Sequence, residues 1–416
     1  MPPSSSTPDI SDAAPGKGLR ILMMPLPIHG HVMPTLPLVT ELVRRGHQVV
    51  YAATQTLAET VGATGAEVLI YESPSSTNPP GDLFDTEHMS GQPIRAVREA
   101  QATTASIEAY FADGPPDVVV YDLVTFFSGR VLSRKWNRPG LELFPTFASS
   151  HEFVFLIKLF EQVGARLDPR HPSMAEYFTE LMTYLGGHGI DDPALMNDPA
   201  EDANLAFFPK MFQLGSESFD DRHAFVGPCL ERAEPETSWT PPADGRPVVL
   251  VSLGTTTNEQ PDFFRMCARA FEGLPWHVVL TLGSRVRPEE LGEIPANVEV
   301  HQWLSHLAVL PHAKAVVTQA GMGSLMQALH FGVTPVMVPH SPEQQMIAER
   351  AADLGVGPLI RHDRIDAALL RAAVREADAP NYRAAVATLR ESIREAGGVD
   401  RAVEVVESRA RATTPA

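Results

Sequence analysis

Short apolar runs alternate with amphipathic stretches along most of the chain. Leu19–Met24 is apolar, and Thr35–Arg45 then carries Leu36, Val39, Leu42 and Val43 at helical spacing, with Gly46 placed to end a helix. Val49–Ala53, Val68–Tyr71, Val118–Tyr121, Leu141–Phe144 and Leu205–Phe208 continue the series as strands. Runs this apolar suit strands buried on both faces, so the pattern predicts an α/β fold with a parallel sheet covered by helices.

The alternation breaks at Glu231–Pro247, a stretch rich in proline and charge, and restarts with Val248–Ser252, Val278–Leu282, Val298–His301, Ala315–Thr318 and Val336–Val338. Two doubly wound domains are expected, 19–230 and 248–381, joined by a linker at 231–247. The last helix-like segment, Tyr382–Arg409 within 382–416, is expected to run back onto the first domain. Residues 1–18 are Pro/Ser-rich and read as a disordered tail, without the basic start and apolar middle of a signal peptide. Ser73–Pro93 and Phe147–Pro199 do not fit the alternation. The aromatic stretch Phe153, Phe155, Leu156, Leu159, Phe160 either lines a pocket or packs on its own domain.

Composition narrows the function. The chain has 416 residues, 44% hydrophobic, enough for a large core. A net charge of −18 argues against a nucleic-acid or anionic-membrane binder, though local donors can still hold a phosphate. The two cysteines, Cys229 and Cys267, make neither a disulfide framework nor a metal cluster and fit a reducing cytoplasm. No apolar run is long enough to span a bilayer.

Three places can carry chemistry. The first strand leads into Pro25-Leu26-Pro27-Ile28-His29-Gly30-His31-Val32-Met33-Pro34, which puts two imidazoles at the carboxyl edge of a sheet, where either can act as a base or be structural. Asp122 follows the run Asp117–Tyr121, and from there a carboxylate can orient an imidazole or merely cap a strand end. Gly321-Met322-Gly323-Ser324 lies between a strand and a helix. Its glycines let backbone approach a ligand, and the free N–H groups of the helix from Ser324 favour a diphosphate. Ser252-Leu253-Gly254-Thr255 is a second such turn. No metal-ligating cluster is visible.

Together these residues resemble the family 1 nucleotide-sugar-dependent glycosyltransferases of the GT-B fold, and within them the bacterial natural-product and macrolide enzymes. The resemblance runs from Leu19 to Arg409. It rests on Gly30-His31-x-x-Pro34 through Arg45-Gly46-His47, Phe225-Val226-Gly227-Pro228, Val251-Ser252-Leu253-Gly254, and above all the long motif from Trp303. It implies an inverting transferase that moves a sugar from a dTDP- or UDP-sugar to a hydroxyl of a hydrophobic small molecule, without metal or further cofactor. The protein would be cytoplasmic and a monomer or homodimer. By the same resemblance His31 is the general base, with His29 the weaker candidate, and Asp122 its partner. Trp303 and the backbone of Leu304 would face the nucleobase, and Thr255, Gly323 and Ser324 the phosphates beside Gly321. Glu343-Gln344 stands where the family usually has Asp-Gln, which binds sugar hydroxyls.

Three positions depart from the family. Gln319 replaces a histidine that usually bonds phosphate. Gln327 replaces a glutamate that grips both ribose hydroxyls, which fits a deoxyribose slightly better. His306 stands where many members have glutamine near the base. These departures keep open the reading as a binding protein with a degraded donor site; a second rival, on the shared architecture alone, is another enzyme such as a sugar-nucleotide epimerase.

Overall fold

The structure is a computed structural model, and it describes residues 18–74, 91–162, 164, 172–191, 201–231, 239–255 and 258–412. Most of the expected tail, much of Ser73–Pro93, part of Phe147–Pro199 and residues 232–238 of the expected linker therefore lie outside the described residues.

The apolar runs form two parallel sheets. The first has β1 (Arg20–Met24), β2 (Gln48–Ala53), β3 (Glu67–Ile70), β4 (Val118–Asp122), β5 (Gly140–Phe144), β6 (Asn204–Ala206) and β7 (His223–Phe225), in the order β3-β2-β1-β4-β5-β6-β7. The second has β8 (Val248–Ser252), β9 (His277–Thr281), β10 (Val298–His301), β11 (Ala313–Thr318) and β12 (Thr334–Met337), in the order β10-β9-β8-β11-β12. Strands β4, β5 and β8 are buried along their whole length, as their largely apolar sequences require, and the buried Glu142 within β5 is paired with Arg130 at 3.1 Å. The three-residue β7 was not among the expected strands, because His223-Ala224-Phe225 is no apolar run, whereas the equally short β6 leads into Phe207-Phe208.

Strand order reverses at one place in each sheet. In the first, β1 pairs with both β2 and β4. In the second, β8 pairs with both β9 and β11. Connections leave in opposite directions from such a pair, so a crevice opens above the strands' carboxyl ends.

The expected last helix is two helices. Pro380–Glu395 packs Val386, Leu389 and Ile393 against Met326 and Leu329 beside the second sheet. The chain then turns at Gly397 and Gly398, both at positive φ, and Gly398 N–H donates to the Val226 carbonyl at 2.7 Å. Gly398–Arg411 lies on the first sheet, its Val399, Val403 and Val406 in one core with Leu38, Leu42 and Ile21. His47 and Arg45 hold Glu407 from that sheet's side at 3.0 and 3.6 Å. A double glycine accommodates a turn that a continuous helix cannot make.

The sheets also share a core. Phe144, Phe147, Phe208 and Phe212 from the first half join Met322, Leu325, Ile347 and Ala351 from the second. Phe153 and Phe155 are buried in it, while Leu156 and Ile157 on the helix Phe155–Gln162 are exposed, so the two aromatics pack and do not line an open pocket. Arg350 fixes this seam: its guanidinium donates to the carbonyls of Met211 (2.7 Å), Phe212 (3.1 Å) and Gln213 (3.4 Å) across from its own helix.

Truncating Arg350 strands these carbonyls. Arg350→Ala should therefore destabilise the protein by about 1–3 kcal/mol. Arg350→Lys should recover little, because an ammonium lacks the planar fork that reaches several carbonyls. Arg361→Ala, which breaks only an exposed pair with Asp363, should stay within about 0.5 kcal/mol of the parent. Thermal melts of the three variants, run side by side, check this.

Candidate active site

The loop after β1 is shaped by proline. Ile28 precedes a single helical turn, His29–Val32, a tighter turn follows at Met33–Thr35, and the helix Leu36–Arg44 completes the descent. Pro34 and Pro37 sit in first turns, where their missing N–H costs nothing. This path holds His31 above the β1–β4 pair, with Asp122 at the carboxyl end of β4 directly beside it.

His31 Nδ1 and Asp122 Oδ2 are 2.6 Å apart. Asp122 is only 1% exposed and accepts three further bonds, from the backbone N–H of Leu26 (2.8 Å) to Oδ2 and of Val124 (2.9 Å) and Thr125 (3.0 Å) to Oδ1. Burial pushes its pKa up, but the His31 charge and bond and the backbone donors outweigh this, and the carboxyl lies below its ordinary range. A carboxylate only accepts, so His31 Nδ1 carries the proton and Nε2 keeps its lone pair. Burial pulls the His31 pKa down, but the charge and hydrogen bond of Asp122 together with the charge of Glu343 from the other half outweigh it, and the pKa is raised. The arrangement makes a stronger base than a free imidazole, and its cation is stabilised as it forms.

Thr125 supports the pair. Its hydroxyl donates to the Met24 carbonyl at the end of β1 (2.7 Å) and accepts from Asp122 N–H (3.0 Å). Sequence reasoning missed it, although the spacing Asp122-x-x-Thr125 is a local capping signal that could have found it.

His29 sits apart. Among the described residues it has no carboxylate partner, and burial lowers its pKa. Its ring faces Trp303 of the second half, with centroids 6.3 Å apart and planes at 23°.

The second sheet supplies a different chemistry at its own switch point. Gly254, after β8, has φ +63, and a Cβ there would meet Gln319 Nε2 at 2.7 Å. After β11, the left-handed residue is Ala320 (φ +64), whereas Gly321 has an ordinary φ of −62. The cost is about 1–2 kcal/mol. The fully buried Ala320 methyl packs in the shared core, and Ala320 N–H bonds Thr318 Oγ1 at 3.2 Å. The glycines serve to leave space: a Cβ on Gly323 would meet nothing within 4 Å. The helix starts at Met322, two residues before the expected Ser324, and its cap residue Gly321 offers no side-chain bond to the first turn. The N–H groups there remain available to an anion.

A cleft of about 460 Å³ lies between the halves. It gathers Thr255, Trp303, Leu304, His306 and Gln327 from the second half, and Met33, Leu36, Pro37 and Cys229, which sequence reasoning missed, from the first. His306 is half-buried in the cleft wall, desolvation drives its pKa down to about 4, and Nε2 bonds Thr281 Oγ1 at 3.1 Å. It is therefore a neutral polar group at physiological pH. Gln319, Gly321, Gly323, Ser324, Glu343 and Gln344 do not line this cleft. Gln344 is 7% exposed, and its side-chain oxygen is bonded to His340 N–H (2.9 Å). Among the described residues no group of three or more His, Cys, Asp or Glu is placed to hold a metal ion, and no helix is long and apolar enough to cross a membrane.

Residues 271–407 match the family described as erythromycin biosynthesis protein CIII-like, C-terminal domain. Over 402 residues the chain is 35% identical to the oleandomycin glycosyltransferase of Streptomyces antibioticus, covering 94% of this chain and 90% of that protein. It is also 35% identical to the demethyllactenocin mycarosyltransferase of Streptomyces fradiae, covering 92% and 84%. The crystal structure of CalG4, the calicheamicin glycosyltransferase, superposes with a TM-score of 0.87 at 38% identity, covering 96% of this chain and 100% of that one. These similarities do not favour the reading as a donor-less binding protein. With both parallel sheets and their facing switch points, they establish that the chain belongs to the GT-B, family 1 nucleotide-sugar-dependent glycosyltransferases, in the bacterial natural-product branch.

Proposed function

We propose that this glycosyltransferase works by direct inversion, with His31 as general base, Asp122 as its orienting partner, and as the donor site the cleft between the sheets together with the helix N-terminus at Met322–Ser324, which lies outside the cleft lining on the helix that brings Gln327 into it. The observation that carries this reading is the 2.6 Å His31–Asp122 bond at the first switch point, facing Glu343 and the donor half. The acceptor hydroxyl oxygen bonds to the anomeric carbon as that carbon's bond to the diphosphate oxygen breaks. The hydroxyl proton passes to His31 Nε2, and Asp122 stabilises the resulting imidazolium. The nucleoside diphosphate departs toward the N–H groups of Met322–Ser324, the Thr255 turn and the Gln319 amide, which meet its developing charge. Trp303 and Leu304 face the base, His306 offers a neutral polar group near it, and Gln327 faces the ribose. Glu343, with the Gln344 amide, takes the sugar hydroxyls.

The acceptor is a hydroxyl on a hydrophobic natural product of the polyketide, macrolide or aromatic class, in keeping with the names of the relatives. The donor is a dTDP-sugar in preference to a UDP-sugar, because the Gln327 amide replaces an acceptor-only carboxylate suited to two hydroxyls. The enzyme acts in the cytoplasm, where its two buried, unpaired cysteines remain reduced, as a monomer or homodimer.

His31→Ala should lower turnover roughly 100-fold or more while nucleotide binding survives. The base must be neutral to act, so activity falls as pH drops through the His31 pKa. Because that pKa is raised, the acid limb of kcat/KM should lie above an ordinary histidine's. Asp122→Asn removes the charge that raises it, so turnover should fall and the limb should move to lower pH; a pH–rate profile of both proteins reads this. Activity should persist in EDTA, since helix N–H groups and side-chain donors carry the phosphate charge, and complete loss restored by magnesium would refute that. For the donor, calorimetry of UDP against 2′-deoxy-UDP isolates the hydroxyl: the deoxy form should bind within tenfold of the ribose form, and Gln327→Glu should shift preference toward ribose. A carboxylate left with an unpaired site costs about 1–3 kcal/mol, the size of shift to look for.

A further inference from the structure

We propose that His29 is the second wall of the nucleobase slot, opposite Trp303, and so a specificity-determining residue for the donor. This deepens the reading of the cleft as a donor site and rests on it. Trp303 is 57% exposed, an unusual position for a large aromatic, and among the described residues no ring of its own half pairs with it. The ring it does face belongs to the other half: His29, 6.3 Å away between centroids and 23° from parallel. That separation is at the wide end for two rings stacked on each other. It is close to the roughly 7 Å that two successive carbon–carbon contacts occupy, so a slight opening between the halves admits one flat ring.

His29 has the right character for this role and the wrong one for proton transfer. Among the described residues neither its ring nor that of Trp303 has a hydrogen-bond partner. Burial favours the neutral imidazole, which stacks without bringing a charge to be desolvated. His31, two residues on, holds the carboxylate and occupies the reacting end. The pair His29–His31 thus divides the labour: one ring against the base, the other toward the sugar.

The test is calorimetric titration of the full chain and of His29→Ala and His29→Phe with TDP and UDP, with inorganic pyrophosphate as a competitor. Removing one stacking face should weaken TDP by roughly fivefold or more. Phenylalanine, which keeps the face, should bind TDP within roughly twofold of the parent, and pyrophosphate affinity should be the same in all three proteins. The inference is overturned if His29→Ala binds TDP within twofold of the parent. It is also overturned if pyrophosphate weakens as much as TDP, which would place His29 on the phosphates, or if only the KM for an aromatic acceptor rises. Absence of TDP and UDP binding by the unaltered protein would sink the donor-site reading and this inference together. Normal nucleotide binding by the parent with an indifferent His29→Ala would sink this inference alone.

Discussion

The bond between His31 and Asp122 is the constraint around which the first half is organised. A carboxylate buried to this degree survives only if its lone pairs are met. Three backbone N–H groups and one imidazole meet them, and each comes from a segment whose course is fixed by something else. Leu26 belongs to the proline-shaped loop, Val124 and Thr125 to the turn after β4, and Thr125 ties that turn back to β1. The dyad is rigid because the ends of two adjacent strands are tied together beneath it.

At its own switch point the second half has, among the described residues, no buried carboxylate to match Asp122, although the Glu343 charge reaches His31. Its switch point offers backbone N–H groups, amides and a neutral imidazole, held in place by a strained Ala320 and by a core shared with the first half. On the proposed mechanism, proton chemistry and charge stabilisation are therefore divided between sheets. The Arg350 clasp and the shared aromatic core hold one side of the seam, and the cleft occupies another part of the boundary between the halves.

Much of this was legible in the sequence because parallel strands buried on both faces are nearly continuous apolar runs. Asp122 could be put at a sheet edge because it follows such a run directly, whereas His31 lies in the loop beyond the first run and was preferred to His29 only through the family resemblance. The short β7 was lost because His223-Ala224-Phe225 is no apolar run, while the equally short β6 was signalled by the run Leu205–Phe208. Tyr382–Arg409 was read as one helix because its apolar spacing continues past Gly397-Gly398, and only the competing surfaces of two sheets explain why it breaks there. The glycines of the second turn were read as room for a ligand, and nothing in the sequence marked Ala320 as the left-handed residue, whose methyl has a packing role no local rule encodes. Thr125 left a local trace, whereas the pairing of His29 with Trp303 left none, since residues 274 positions apart in sequence meet only through the approach of two halves.

The final helix, Gly398–Arg411, has a bearing on how the protein is made. It completes the core of the first sheet, with Asp400 reaching Arg45 across 355 positions of chain. During synthesis the first half leaves the ribosome with Leu38, Leu42 and their neighbours uncovered, and the second half must be translated before the covering helix exists. Contacts this distant in sequence close slowly. The first domain thus matures last, and a nascent chain passes through a stage in which its earliest-made surface is the stickiest.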